Sequence, residues 1–153
     1  MSVMRFPECC GDDLTRAKVC FPRDFAGLPT LAIVAFDVNA RAALESWLPY
    51  VEHATREGTV RGRLFPVLSS GMKLMKGAIE SMLRKAEPAT EARAATVPLF
   101  VDVDAFAAAL GILDRTQIEV LLLTPDGSVV ERVIGPYTEA AGSALAARLR
   151  DLL

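Results

Sequence analysis

Cysteine is scarce in this sequence and confined to one end. The 153 residues contain three cysteines, Cys9, Cys10 and Cys20, and all of them precede the first long apolar run. An odd number of cysteines without a CxxC pair does not suggest a disulfide framework. We therefore expect free thiols, with a labile metal or redox role as the lesser alternative. Together with His53, the single histidine, they match no paired zinc-ligand spacing.

Long apolar runs and an excess of one charge are also missing. The longest apolar runs, LAIVAF and EVLLLT, are too short to span a bilayer. The N-terminus MSVMRFPECCGDDL has no apolar run of signal-peptide length. With 17 basic and 19 acidic residues, the chain should not attract phosphate backbones or anionic lipid from a distance. We expect a cytoplasmic protein that neither binds nucleic acid nor inserts into a membrane.

Familiar catalytic and cofactor motifs are absent as well. The sequence contains no glycine-rich phosphate loop, Ser/His/Asp set or zinc pattern, so it indicates no cofactor. Asp102 and Asp104 can be imagined as a metal pair, but cap and turn positions explain them more simply. Apolar residues, by contrast, are abundant: 52% of the chain is hydrophobic, which suffices for one core in one domain.

Strand and helix patterns alternate along the chain. Residues 1–18 carry turn formers and charge without periodicity, which indicates an irregular arm before a domain over residues 19–153. A short strand is predicted near Val19–Phe21, and LPTLAIVAF predicts a central strand buried on both faces. An amphipathic helix should then begin with Asn39 as its N-cap and end before Gly58.

The second half of the chain continues the alternation. VRGRLFPVL and VPLFVDV predict strands, EPATEARAAT a loop, and DAFAAALGI a short helix closed by Gly111. IEVLLLTPDGSVVERVIG predicts a β-hairpin, and a C-terminal helix capped by Thr138 follows it. This order of elements predicts a mixed sheet with helices on both faces.

The helix predicted over residues 72–85 carries an unusual number of methionines. Packing under the sheet is the simpler interpretation of its apolar stripe, and an adaptable surface for a client protein is the alternative. His53, on the polar side of the preceding helix, should be solvated and has no predicted catalytic role. The stripe comprises Met72, Met75, Ile79, Met82 and Leu83.

Three segments in this order make the chain from about Val19 onwards resemble the thioredoxin-like superfamily, closest to its peroxiredoxin and thiol–disulfide reductase branch. They are FPRDFAGLPTLAIVAF, VPLFVDVDAFAAALGI and VLLLTPDGSVVERVIGPYT. The resemblance implies an α/β fold with a mixed central sheet, helices on both faces, and a C-terminal β-hairpin followed by a helix.

The same resemblance implies that the redox chemistry of the superfamily has been lost. In active members a CxxC begins the helix after the central strand, and a proline bends that helix at the spacing that separates Phe36 from Pro49 here. The two cysteine positions then correspond to Arg41 and Leu44, and the position of the superfamily's cis-proline falls near Glu119. Thiol exchange needs a stabilised thiolate and a resolving thiol, so these substitutions exclude it at this site.

Over most of its length the chain also resembles bacterial relatives of the mitochondrial ATP synthase assembly factor. The matching segments are SWLPYVE, RLFPVLSSGMKLMKGAIESMLRK and LFVDVDAFAAALGI. That family is regarded as a non-redox assembly factor or chaperone, so the resemblance implies a non-catalytic role with an unidentified protein partner. A thiol-dependent oxidoreductase or peroxidase using the N-terminal cysteines is the first alternative, and a homodimer that interacts mainly with itself is the second.

The position of the lost redox site defines a candidate groove. It comprises Asn39, Arg41, Leu44 and Glu119. Arg41, with Asn39 and the free amides of the helix start, could bind a carboxylate or another small anionic ligand, although a solvated arginine is the simpler interpretation. Glu119 could instead pair with Arg41. We expect both charged side chains on the same surface.

Overall fold

The structure, a computed structural model, describes residues 4–25 and 27–153. Strands and helices alternate along it. The strands are β1 Cys9–Asp12, β2 Lys18–Phe21, β3 Thr30–Ala35, β4 Arg61–Ser69, β5 Leu99–Val101, β6 Glu119–Leu123 and β7 Val129–Ile134. The α-helices are α1 Arg41–Thr55, α2 Lys76–Ala86, α3 Thr90–Ala95, α4 Val103–Leu110 and α5 Glu139–Leu152. Short 3₁₀ helices span Arg23–Phe25, Val38–Ala40 and Ser70–Met75.

Strands β3 to β7 form one mixed sheet in the order β5–β4–β3–β6–β7. Strands β3, β4 and β5 run parallel, whereas β6 runs antiparallel to both β3 and β7. The central position suits β3 because its residues Thr30 to Val34 are all buried, as expected of a strand covered on both faces. This topology confirms the predicted α/β architecture with a C-terminal hairpin and helix.

Alternate residues of β3 point to opposite faces of the sheet. On one face, Leu31 and Ile33 pack with residues of α1 and α5. On the other face, Ala32 and Val34 pack with α4 and a cluster of aromatic rings. Helices therefore cover both faces, as predicted. The aromatic cluster consists of Phe6, Phe21, Phe25, Phe65 and Phe106.

The N-terminal segment departs from the predicted irregular arm over residues 1–18. Cys9–Asp12 forms strand β1, which pairs antiparallel with β2, and the side chains of Phe6 and Leu14 are each only 2% exposed. The prediction is therefore wrong for this strand, because its four residues pair with a partner that local periodicity does not reveal. Residues 1–3 of the predicted arm lie outside the described residues.

The start of α1 also differs from its prediction. Helix α1 begins at Arg41 after a 3₁₀ turn, and Ala40 occupies the N-cap without a side-chain hydrogen bond. Asn39 is therefore not the cap; its backbone N–H donates to the Asp37 carboxylate at 2.9 Å. Pro49 lies inside α1 and His53 is exposed, as predicted.

The caps of the two later helices confirm their predictions. The Asp102 carboxylate accepts from the backbone N–H of Ala105, and the Thr138 hydroxyl accepts from that of Ala141, each at 3.1 Å. Gly111 ends α4 in the left-handed conformation, with φ of 66°, where glycine carries no Cβ penalty.

The middle of the chain contains more and shorter helices than predicted. The helix expected over residues 72–85 is a 3₁₀ helix up to Met75 followed by α2, and the loop EPATEARAAT contains the short helix α3. No helix in the described ranges is long and apolar enough to cross a bilayer.

Candidate functional site

Helix α1 starts where the central strand β3 ends, and its first residue is held by two carboxylates. The Arg41 Nε lies 2.9 Å from Glu45 Oε1, and its Nη2 lies 2.7 Å from Glu87 Oε1. Partial burial alone would lower the pKa of Arg41, but the hydrogen bonds to Glu45 and Glu87 raise it. Because Nε and Nη2 are both engaged by carboxylates, Arg41 is an ion-pair residue in this structure.

Two other residues of the predicted groove, Leu44 and Glu119, are buried. Leu44 is 7% exposed and belongs to the core cluster on the α1 face of the sheet. Glu119 opens β6 beside Val34 near the end of β3, and it is 2% exposed. The structure therefore brings Asn39 and Arg41 to the surface at the start of α1 and places Leu44 and Glu119 inside.

The ion pair considered between Arg41 and Glu119 does not form. Glu119 Oε1 lies 2.6 Å from Arg132 Nη1 on the neighbouring strand β7, so the expectation that Arg41 and Glu119 share one surface is wrong. Arg132 also donates to the backbone carbonyls of Leu110 and Gly111 at the end of α4. Burial raises the pKa of Glu119, although the charge and hydrogen bond of Arg132 lower it.

An open cleft lies at the carboxyl ends of the parallel strands. Its volume is about 380 Å³, and residues at or after the ends of β3, β4 and β5 line it. Open α/β sheets bind ligands at this edge because the loops that follow the strands leave a crevice there. The apolar lining includes Phe36, Val67, Leu68, Met72 and Val103, and the polar lining includes Asp37, Ser69, Arg115 and Thr116.

The methionines of the predicted helical stripe, of which Met72 lines this cleft, are exposed. Met72, Met75 and Met82 are 36%, 55% and 54% exposed, whereas Ile79 is 9% exposed. The prediction of core packing is therefore wrong for the methionines, because α1, α4 and α5 supply the helical residues of the two buried clusters. An adaptable apolar surface is the interpretation that agrees with this exposure.

Two of the three cysteines are joined. Cys10 on β1 lies directly opposite Cys20 on β2, and a disulfide links them with a Cα–Cα distance of 4.0 Å. The prediction of free thiols is wrong for this pair and correct for Cys9. Facing residues on antiparallel strands have neighbouring Cβ atoms, so the missed strand β1 is also the reason the disulfide was missed.

Cys9 differs sharply from its neighbour Cys10. Its side chain packs against the aromatic core cluster, and burial raises the pKa of its thiol to about 12. Cys10, the next residue on the strand, is exposed. Within residues 4–25 and 27–153, no group of three or more His, Cys, Asp or Glu side chains is arranged to hold a metal ion.

Comparison with known proteins places the chain by its fold. No protein-family model and no curated protein matches the sequence. Among solved structures, the chain is similar to BsSco, with a TM-score of 0.69 and 13% identity. BsSco is a member of the Sco family of cytochrome c oxidase assembly proteins, and a disulfide switch was identified in it. That match covers 98% of this chain and 94% of BsSco.

Two thiol–disulfide proteins are similar over comparable lengths. The putative thiol:disulfide interchange protein DsbE from Chlorobium tepidum has a TM-score of 0.62 at 14% identity, covering 99% of this chain and 97% of that one. The thioredoxin domain of a thiol-disulfide oxidoreductase from Bacteroides vulgatus has a TM-score of 0.58 at 16% identity, covering 97% and 99%. These likenesses show that the chain has the thioredoxin-like fold.

Proposed function

We propose that this chain is a non-catalytic thioredoxin-fold protein that binds a protein partner in the cleft at the carboxyl ends of β3, β4 and β5. The observation that carries the proposal is that the cleft is present while the first turn of α1 has no sulfur. Arg41 there is engaged by two carboxylates, and Leu44 is packed in the core. A site so arranged can hold a ligand but has no thiolate to attack a disulfide.

The chemistry of the cleft favours an extended segment of a partner. Its apolar lining from Phe36, Val67 and Val103 can bury one or two side chains, and polar groups such as Ser69 and Thr116 can orient a backbone. The 3₁₀ helix Ser70–Met75 extends this apolar surface with Leu74, which is 97% exposed. Flexible methionine side chains let such a surface fit several partners.

An assembly or chaperone-like role is the form of binding that the sequence resemblance predicts. The structural likeness to BsSco, whose family consists of cytochrome c oxidase assembly proteins, adds support for that role. The resemblance to relatives of the ATP synthase assembly factor and the cytoplasmic location both stay predictions. A small anionic ligand and a second copy of the chain are the alternative occupants of the cleft.

Partner recovery from native cells tests the proposal. Met72→Glu places a charge in the cleft lining at a half-exposed position, so it should shed the partners without unfolding the chain. Met82→Glu is the control, because Met82 is also exposed but lies outside the cleft lining. Equal recovery by wild type and Met72→Glu would contradict the proposal. Arg41→Glu is less informative, because it would set a third carboxylate beside Glu45 and Glu87.

A thiol-dependent oxidoreductase is the second candidate. The Cys10–Cys20 disulfide, whose Cys10 is exposed, favours it, as does the likeness to a putative thiol:disulfide interchange protein. This candidate places redox chemistry in the β1–β2 hairpin rather than at α1. Two assays, of disulfide reduction and of peroxide consumption, separate the candidates. Each compares wild type with a variant in which all three cysteines are replaced by serine.

A further inference from the structure

The Cys10–Cys20 disulfide borders a second cleft, formed where the β1–β2 hairpin meets the start of β5. The volume of this cleft is about 300 Å³. Gly11 holds the hairpin close to that start, since a Cβ at this position would lie 2.9 Å from the backbone oxygen of Pro98. The lining consists of Cys10, Gly11, Asp12, Lys18, Lys73, Lys76, Pro98 and Phe100.

Positive charge dominates this lining. Three lysines face one aspartate, and that aspartate, Asp12, is already held by Lys76 at 2.6 Å. Glu80, a nearby acid on α2, is 8% exposed and lies 3.8 Å from Arg84. Lys18 and Lys73 are both exposed, so their charges are open to an incoming ligand. A cleft lined in this way attracts anions.

Cys10 is the residue of the disulfide that lines this cleft. Cys10 lines the cleft and is exposed, whereas Cys20 is half-buried and is not among the lining residues. Successive side chains of a strand point to opposite sides, so Cys9 faces the aromatic core instead. An attacking thiolate that enters the cleft therefore meets the Sγ of Cys10 first.

We propose that the Cys10–Cys20 disulfide is a thiol–disulfide exchange site for a small thiol that carries carboxylate groups. The thiolate of that molecule attacks Cys10 Sγ, a new S–S bond forms between them, and the Cys10–Cys20 bond breaks. Cys20 leaves as a thiolate and takes a proton from solvent. This first step yields a mixed disulfide on Cys10.

A second molecule of the small thiol completes the exchange. Its thiolate attacks the small-molecule sulfur of the mixed disulfide, and Cys10 leaves as a thiolate beside the lysines before it is protonated. Two small thiols are thereby oxidised to one disulfide, and the protein disulfide is reduced to two thiols. Lysine charges favour both the approach of the carboxylates and the departure of the Cys10 thiolate.

The size of the cleft limits the substrate class. A volume of about 300 Å³ is at the small end of ligand pockets and accommodates a peptide thiol of tripeptide size. This exchange site uses different residues from the partner cleft at the carboxyl ends of β3, β4 and β5. It therefore adds to the proposed binding function and can fail independently of it.

Reduction kinetics of the oxidised full-length protein test the inference. Glutathione, which carries more carboxylates than ammonium groups, serves as the anionic thiol, and 2-mercaptoethanol serves as the neutral one. Samples are quenched in acid, alkylated and analysed by mass spectrometry for Cys10 and Cys20. Lys73→Glu reverses one charge of the cleft, whereas Lys85→Glu makes the same change at an exposed lysine outside the lining.

We expect Lys73→Glu to slow reduction by glutathione about tenfold, because the reversed charge repels the carboxylates that Lys73 attracts. Reduction by 2-mercaptoethanol, which carries no carboxylate, should slow by a smaller factor, because only its thiolate and the departing Cys10 thiolate feel the change. Lys85→Glu should alter both rates less than about twofold, because distant exposed charges are screened. Equal effects of Lys73→Glu on the two thiols would overturn the inference. So would a disulfide that glutathione reduces only after the chain is unfolded.

Discussion

Cys9 and Cys10 are neighbours in the chain, yet their side chains meet opposite environments. Cys10 reaches solvent and joins Cys20 across the hairpin, whereas Cys9 packs against the aromatic core. The alternation of a strand explains this difference, since consecutive side chains leave its two faces. The same sulfur chemistry is therefore accessible at one position and suppressed at the next.

The low reactivity expected of the buried Cys9 thiol can be measured by alkylation. Because burial raises the pKa of its thiol to about 12, Cys9 should react with iodoacetamide at pH 8 at least about 100-fold more slowly than an ordinary free cysteine. Mass spectrometry of the oxidised protein, with and without urea, gives both rates on one chain. A rate in the folded protein equal to that in urea would contradict the buried placement.

Glu119 is a second side chain whose environment differs from what its sequence position implies. The resemblance places it near the site of the cis-proline and suggests an exposed groove, but Glu119 is buried and paired with Arg132. Arg132, on β7, lies directly opposite Leu121, which makes it a diagonal neighbour of Glu119. Sequence alone does not show which cation reaches it, because long side chains can pair diagonally across strands.

The raised pKa of Glu119 predicts a pH dependence. Burial makes the folded state hold the Glu119 proton more tightly than the unfolded chain does, so this stabilisation is complete below the unfolded pKa and is lost as the pH rises through the folded pKa. The free energy of unfolding of wild type, relative to Glu119→Gln, should therefore fall between pH 4 and pH 7. Urea unfolding at several pH values measures it. A relative gain by wild type over that range would show that Arg132 outweighs burial.

Among the elements, long periodic segments were predictable and short paired ones were not. The apolar run of β3 and the helical spacing in α1 each carry their structure locally. Strand β1 does not, since CCGD forms a strand only by pairing with β2. The disulfide and the lysine-lined cleft both depend on that pairing, so the sequence could not reveal either.

The exposed methionines show a different limit of sequence patterns. A helical apolar stripe predicts which side chains share a face, but not whether another element covers that face. In this fold the two faces of the sheet are already filled by α1, α4 and α5. Met75 and Met82 are left exposed as a result.

Two glycines test how closely the elements pack. A Cβ on Gly11 would lie 2.9 Å from the Pro98 backbone oxygen, whereas one on Gly77, early in α2, would meet nothing within 4 Å. Gly11→Ala should therefore lower the free energy of unfolding by about 1–3 kcal/mol through overpacking. Gly77→Ala should raise it by about 0.5–1 kcal/mol, because alanine is the better helix former.

Urea unfolding of both alanine variants beside wild type gives the two values. The substitution is the same at each site, so each variant serves as the other's control. If Gly11→Ala proved as stable as Gly77→Ala, strand β1 would not lie against the start of β5 as described. The lysine-lined cleft would then lose the contact that shapes it.

The whole molecule combines a thioredoxin-like fold with an unusual placement of sulfur. The thiol–disulfide proteins it is similar to share its architecture over nearly the full chain. In this chain, however, all three cysteines lie at or before β2 and none lies in α1. The fold could be predicted from the order of elements, whereas the position of the disulfide required the register of the hairpin.

The cleft proposed to bind a partner and the disulfide therefore lie at different places in the molecule. The cleft at the carboxyl ends of β3, β4 and β5 is lined by apolar and polar groups without sulfur other than the Met72 thioether. The disulfide lies at the second cleft, whose volume accommodates a small thiol. A protein substrate should therefore be bound by this molecule but not reduced by it.

Insulin reduction by dithiothreitol, followed as turbidity, tests this central claim most directly. Wild type and the Cys10→Ser/Cys20→Ser variant should both leave the rate at the background set by dithiothreitol alone, because no thiolate is present at the start of α1. Acceleration by wild type that the double variant lacks would contradict a non-catalytic role and establish the hairpin as a protein disulfide reductase.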